Sequence, residues 1–132
     1  MLTTKNFFIF IIVTALGFGL TLLLAPEFIL NMYATQKVDM TGALDNVTLS
    51  YGMVLTAAGI AYFIIRDAGA SIARRGFLFY AAISNALGII VHIRAILKGT
   101  ENSLGWSIVL LAVLIILWSG MLLSKEKASG LV

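Results

Sequence analysis

Apolar residues fill four long stretches of the chain, and polar residues collect in the short segments between them. The stretches run from Phe7 to Ala25, about Val47 to Ile65, Gly76 to Ile93 and Leu104 to Leu123. Each is close to the roughly 20 apolar residues that a helix needs to cross a hydrocarbon core about 30 Å thick. None alternates apolar and polar residues with a period of two, which argues against a β-barrel. Backbone polar groups in lipid must be satisfied within the segment, so the four stretches are predicted helices. The fold class that follows is all-α, an integral membrane antiparallel four-helix bundle forming a single domain over 1–132.

The segments between the stretches differ in kind. After the first, Pro26 and Glu27 suit the first turn of a helix. Phe28, Ile29, Met32 and Tyr33 then share one face, with Asn31 opposite. This predicts a short helix over about 26–35 lying in the membrane interface; the alternative is a first span that continues past a proline kink. Arg66–Arg75 is short enough to join two antiparallel helices, and Lys98–Ser103 reads as a polar turn. The first stretch is longer than a signal-peptide core and lacks a small-residue cleavage site, so it reads as a retained span.

Lys and Arg are unevenly shared between the two ends of such a bundle. Lys5, Arg66, Arg74, Arg75, Lys125 and Lys127 fall on one side, and Lys37, Arg94 and Lys98 on the other. By the positive-inside rule both termini are expected to face the cytoplasm; a bacterial or archaeal plasma membrane is the expected location. Composition adds exclusions. At 61% hydrophobic and 11% charged, with a mean hydropathy of +1.04, 132 residues cannot hide their apolar surface in a soluble domain. The net charge of +3 follows from the loop bias and forms no basic stripe, so no nucleic-acid partner is expected.

In lipid, helices associate through small residues and a few hydrogen bonds. Such faces are visible at Thr14, Gly17 and Thr21; at Thr48, Gly52, Thr56 and Gly59; and at Ala81, Asn85, Gly88 and His92. Gly17, Gly52, Thr56, Gly59 and Gly88 are therefore expected to pack helices. The fourth span offers only Gly105, Ala112 and Ser119, and is expected to be the most exposed, meeting lipid or another membrane subunit. Trp106, Trp118, Tyr51, Tyr62 and Tyr80 lie toward span ends and read as an aromatic belt.

Few side chains offer chemistry. Asn85 is the deepest polar group, and His92, the sole histidine, lies two turns nearer the edge. If the second and third spans pack antiparallel, Asp45 comes to the depth of His92, with Glu27 and Arg94 in the same layer. That cluster, Asp45, Asn85, His92, Arg94 and Glu27, is a candidate ligand or proton site, because ionisable groups in a membrane are costly. The plainer account has Asp45 capping a helix and Asn85 bonding across helices. With no Cys and one His, no metal or other cofactor is expected. No phosphate loop or nucleophile elbow occurs, and no catalytic residue can be assigned. No span carries the deep carboxylate of a small proton-driven exporter.

Gly52, Gly59 and Arg66 stand seven apart, followed by Asp67, Ala73-Arg74-Arg75, Asn85-Ala86-Leu87-Gly88 and Leu104-Gly105-Trp106, with Pro26-Glu27 closing the first span. In these placements the chain resembles the DoxX-like group of small four-span bacterial membrane proteins. The resemblance implies a four-helix membrane bundle and an accessory role beside a redox complex, and carries over no catalytic residue. Accessory or scaffolding subunit is the expected function; binding of a quinone or lipid at the polar seam is the alternative.

Overall fold

The computed structural model describes residues 3–128, with side chains through 126; the side chain of Lys127, counted above, lies outside them. The described residues form five helices, α1 (Thr4–Leu24), α2 (Pro26–Tyr33), α3 (Gly42–Ile65), α4 (Ile72–Leu97) and α5 (Gly105–Ala128). The fold is all-α. Of the five, α1, α3, α4 and α5 are long and apolar enough to cross a membrane.

Capping explains why three of them start where they do. Thr3, Thr41 and Ser71 accept hydrogen bonds from the backbone N–H groups of Asn6, Leu44 and Arg74, satisfying donors that the first helical turn leaves free. Thr41 thus begins α3 five residues before the apolar stretch does, and Asp45 lies inside the first turn instead of capping the helix. α2 is a separate helix. Ala25 leaves helical geometry (φ −145°, ψ 59°), and Pro26 starts a new one. The kinked-continuation alternative does not occur.

The helices associate in two pairs, α1 along α3 and α4 along α5, while the backbones of α3 and α4 stay apart over most of their length. In the first pair, glycines set the distance. A Cβ on Gly19 would stand 2.6 Å from Thr56 Oγ1, one on Gly52 2.9 Å from Leu22 Cβ, and one on Gly59 2.7 Å from Leu16 Cδ2. Gly17 plays no such part. It is exposed with nothing within 4 Å of an added Cβ, because two residues turn a helix by about 200° and put Gly17 and Gly19 on opposite faces. Gly88 is likewise open. The threonines satisfy themselves locally, Thr56 Oγ donating to Gly52 O and Thr48 Oγ to Leu44 O.

In the second pair α5 presents a seam of buried residues at three- and four-residue steps, Gly105, Val109, Ala112, Ile115, Ser119, Leu122 and Glu126. The small line of this span is therefore used inside the molecule. The most exposed span is α4, whose apolar window is 11% buried against 28% for α5.

The two pairs meet at the end of the molecule that carries Lys5 and the α3–α4 loop, called here the terminal end. Phe7, Phe8, Tyr62 and Leu78 are almost fully buried there, with Ile115 and Leu122 from α5. Phe8 stacks obliquely on Tyr62, Phe7 meets Trp118 edge-on, and Tyr62 meets Phe77 edge-on. Tyr62 also donates its hydroxyl hydrogen to Phe77 O at 2.8 Å, which ties α3 to α4. Tyr62 is thus a core residue and Trp118, partly buried, packs against that core, whereas Tyr51, Tyr80 and Trp106 are exposed.

Candidate functional site

At the opposite end, nearest α2, the predicted polar cluster takes a different form. His92 lies in the last turns of α4, and its Nδ1 is 2.9 Å from both carboxylate oxygens of Glu101. The pair is largely buried, with side-chain exposures of 27% and 10%. Glu101 reaches His92 only because position 105 has no side chain: a Cβ there would stand 2.7 Å from Glu101 Cδ. A buried carboxylate needs such a partner, and this one is satisfied inside the hairpin of α4 and α5.

The remaining members of the cluster stand apart. Asp45 belongs to α3, and α3 is not packed along α4 at this end. Among the described residues no ion pair or hydrogen bond joins Asp45, Glu27 or Arg94 to His92. Glu27 is exposed in the first turn of α2, where the helix dipole favours it, and Arg94 is exposed in the last turn of α4 for the matching reason. Asn85 donates from Nδ2 to Ala81 O of its own helix at 2.8 Å and does not bond across helices. The structure therefore keeps one predicted member, His92, and gives it a partner the sequence reading passed over. Glu101 falls in the polar turn outside the apolar stretch, yet nine residues from His92 across that turn it is within reach of a hairpin contact.

Beside this pair the turn clasps α2. Asn102 N donates to Tyr33 O at 2.7 Å, and Asn102 Nδ2 donates to Met32 O and Ala34 O. Thr35 Oγ donates to Gly99 O at 2.6 Å and Thr35 N to Thr100 O. Gly99 has a φ of 69°, left-handed backbone that suits glycine and turns the chain back toward Thr35. These bonds join the two helix pairs at this end as the aromatic cluster does at the other.

The terminal end holds the larger concentration of charge. Lys5 Nζ lies 2.7 Å and Arg66 Nε 3.2 Å from the Asp67 carboxylate. The Lys5 ammonium donates to that carboxylate and holds it below the ordinary carboxylate range. Arg66 also lies 3.7 Å over the Phe63 ring, and Arg74 pairs with the buried Glu126, fixing the start of α4 to the end of α5. An open cleft of about 340 Å³ lies among the starts of α1 and α4 and the end of α3. Outside the bundle, a second cleft of about 520 Å³ separates α3 from α4, lined by alanines, Gly76, Phe77 and Tyr80. No group of three or more His, Cys, Asp or Glu that could hold a metal ion occurs among the described residues.

Comparison with protein-family models, with curated proteins and with solved structures finds no match.

Proposed function

We propose that the chain is an integral membrane protein of a bacterial or archaeal plasma membrane. It crosses the bilayer four times with both termini in the cytoplasm, and it serves as an accessory or scaffolding subunit of a membrane complex. One observation carries the subunit reading: α4 leaves a full face uncovered. Phe79, Ile83, Leu87, Ile90 and Val91 lie on one side of it and are all exposed, 58–65% for the last four. A span whose partners inside the chain cover so little of it suits a neighbouring transmembrane helix.

Two further features support the reading. The buried acidic groups are already spent on structure, Glu101 on His92 and Glu126 on Arg74, which leaves little for catalysis or proton transfer. The resemblance to DoxX-like proteins points the same way. The alternative, a quinone or lipid bound at a polar seam of Asp45, Asn85 and His92, loses its motive because the three side chains do not converge.

A photo-crosslinker at Leu87 in native membranes, with native mass measurement after mild extraction, tests the proposal. Crosslinking from Leu87 to a second protein, in an assembly heavier than one chain, is the expected result. A monomer whose Leu87 probe captures lipid alone contradicts it.

A further inference from the structure

The two clefts that α3 and α4 help to line differ in chemistry. The cleft at the terminal end has Lys5, Arg66 and Arg74 in its walls against one carboxylate, Asp67, with the hydroxyls of Thr3 and Thr4 beside them. Counting Arg75, Lys125 and Glu126, this end sets five cations against two carboxylates among the described side chains. The Nε of Arg74, in the wall of this cleft, is buried and has no hydrogen-bond acceptor among the described residues. The lateral cleft is apolar and open, with Ala57, Ala58 and Ala61 on α3 and Ala73, Gly76 and Phe77 on α4 in its walls. The two linings share no residue but come close along the chain, Ala73 of one preceding Arg74 of the other on α4. On α3, Ala61 precedes Arg66 by little more than one turn.

We propose that this junction binds an anionic phospholipid, its phosphate in the cationic cleft and one acyl chain along the α3–α4 groove. Guanidinium and ammonium groups supply the charge-assisted donors a phosphodiester takes, and basic pockets between spans on the cytoplasmic side suit anionic headgroups. A soluble phosphate would use the cations and leave the groove empty. A protein helix would fill the groove and leave the surplus cations without an anion. Only a molecule with both parts satisfies both clefts. The inference rests on the membrane-spanning part of the preceding reading and not on a partner subunit: a monomeric chain binds the lipid equally well.

The full chain, extracted in mild detergent and stripped of lipid by exchange, is offered phosphatidylglycerol or phosphatidylcholine at equal mole fraction, and retained lipid is counted by native mass spectrometry. Phosphatidylglycerol is expected to be retained about tenfold over phosphatidylcholine, and excess inorganic phosphate is expected not to displace it. Lys5→Gln with Arg66→Gln removes the preference. Gly76→Leu with Ala57→Leu lowers retention of phosphatidylglycerol by filling the groove. Gly76 has nothing within 4 Å of an added Cβ, and both Gly76 and Ala57 are exposed on the cleft walls, so the added side chains enter the cleft. Equal retention of the two lipids, displacement by phosphate, or full retention by either variant overturns the proposal. So does a protein crosslinked from a cysteine at Ala57 when no lipid is retained.

Discussion

Gly19, Gly52 and Gly59 hold α1 and α3 at a separation that no side chain at those positions permits. Gly52→Leu is expected to destabilise the protein by about 1–3 kcal/mol through overpacking, whereas Gly17→Leu, pointing into open space, should change stability by less than about 0.5 kcal/mol. Denaturant or thermal unfolding in detergent checks the contrast. His92→Ala leaves the Glu101 carboxylate buried without its partner and is expected to cost about 1–3 kcal/mol. Removing both groups, as His92→Leu with Glu101→Leu, should recover part of that loss. Asp67 carries the clearest pH dependence outside the helices. Its carboxyl is held below its ordinary value of 3.8 by the Lys5 hydrogen bond. The stability it contributes is present in full above that value and is lost as the pH falls through the lowered folded-state value. Thermal unfolding of Asp67→Asn followed as the pH is lowered should show a shallower acid-side decline than the wild type. Because both partners are more than half exposed, the difference is small and fades with salt.

The elements were largely readable from the apolar pattern, and their partners were not. Four stretches and a short helix after Pro26 follow from hydrophobic runs and turn chemistry. The starts of α3 and α4 lie four to five residues outward of the apolar stretches because Thr41 and Ser71 cap these helices ahead of them. Which face of each helix is buried depends on the identity of its neighbour, and in a chain apolar all round the sequence gives little contrast. Gly17 and Gly19 both fit a small-residue line, and only the position of α3 selects Gly19. Likewise His92 could be paired from sequence with Asp45 or with Glu101, and the short α4–α5 hairpin decides for Glu101. The expectation that the fourth span faces outward failed for the same reason: its Gly105, Ala112 and Ser119 line is the seam against α4. In the single chain purified away from any partner subunit in detergent, a spin label at Leu87 should therefore be quenched strongly by a lipid-soluble relaxant, and one at Ala112 weakly. Equal quenching at the two positions contradicts the assigned faces.

Over the whole molecule, two helix pairs are joined at their ends, by Phe7, Phe8, Tyr62, Phe77 and Trp118 at one and by the Asn102 and Thr35 clasp at the other. Between them the α3–α4 groove stays open. This layout makes sense if the outer faces meet lipid or another span, since in water so much exposed apolar surface would drive aggregation. The absence of Cys from the chain makes single introduced cysteines clean reporters of that claim. Cysteines placed one at a time at Gln36, Lys98 and Ala70 are exposed to a membrane-impermeant thiol reagent in intact cells. Labelling is expected at Gln36 and Lys98 directly, and at Ala70 only after the membrane is permeabilised. Labelling of Ala70 from outside, or labelling of all three positions alike in intact cells, contradicts a four-span chain with its termini in the cytoplasm.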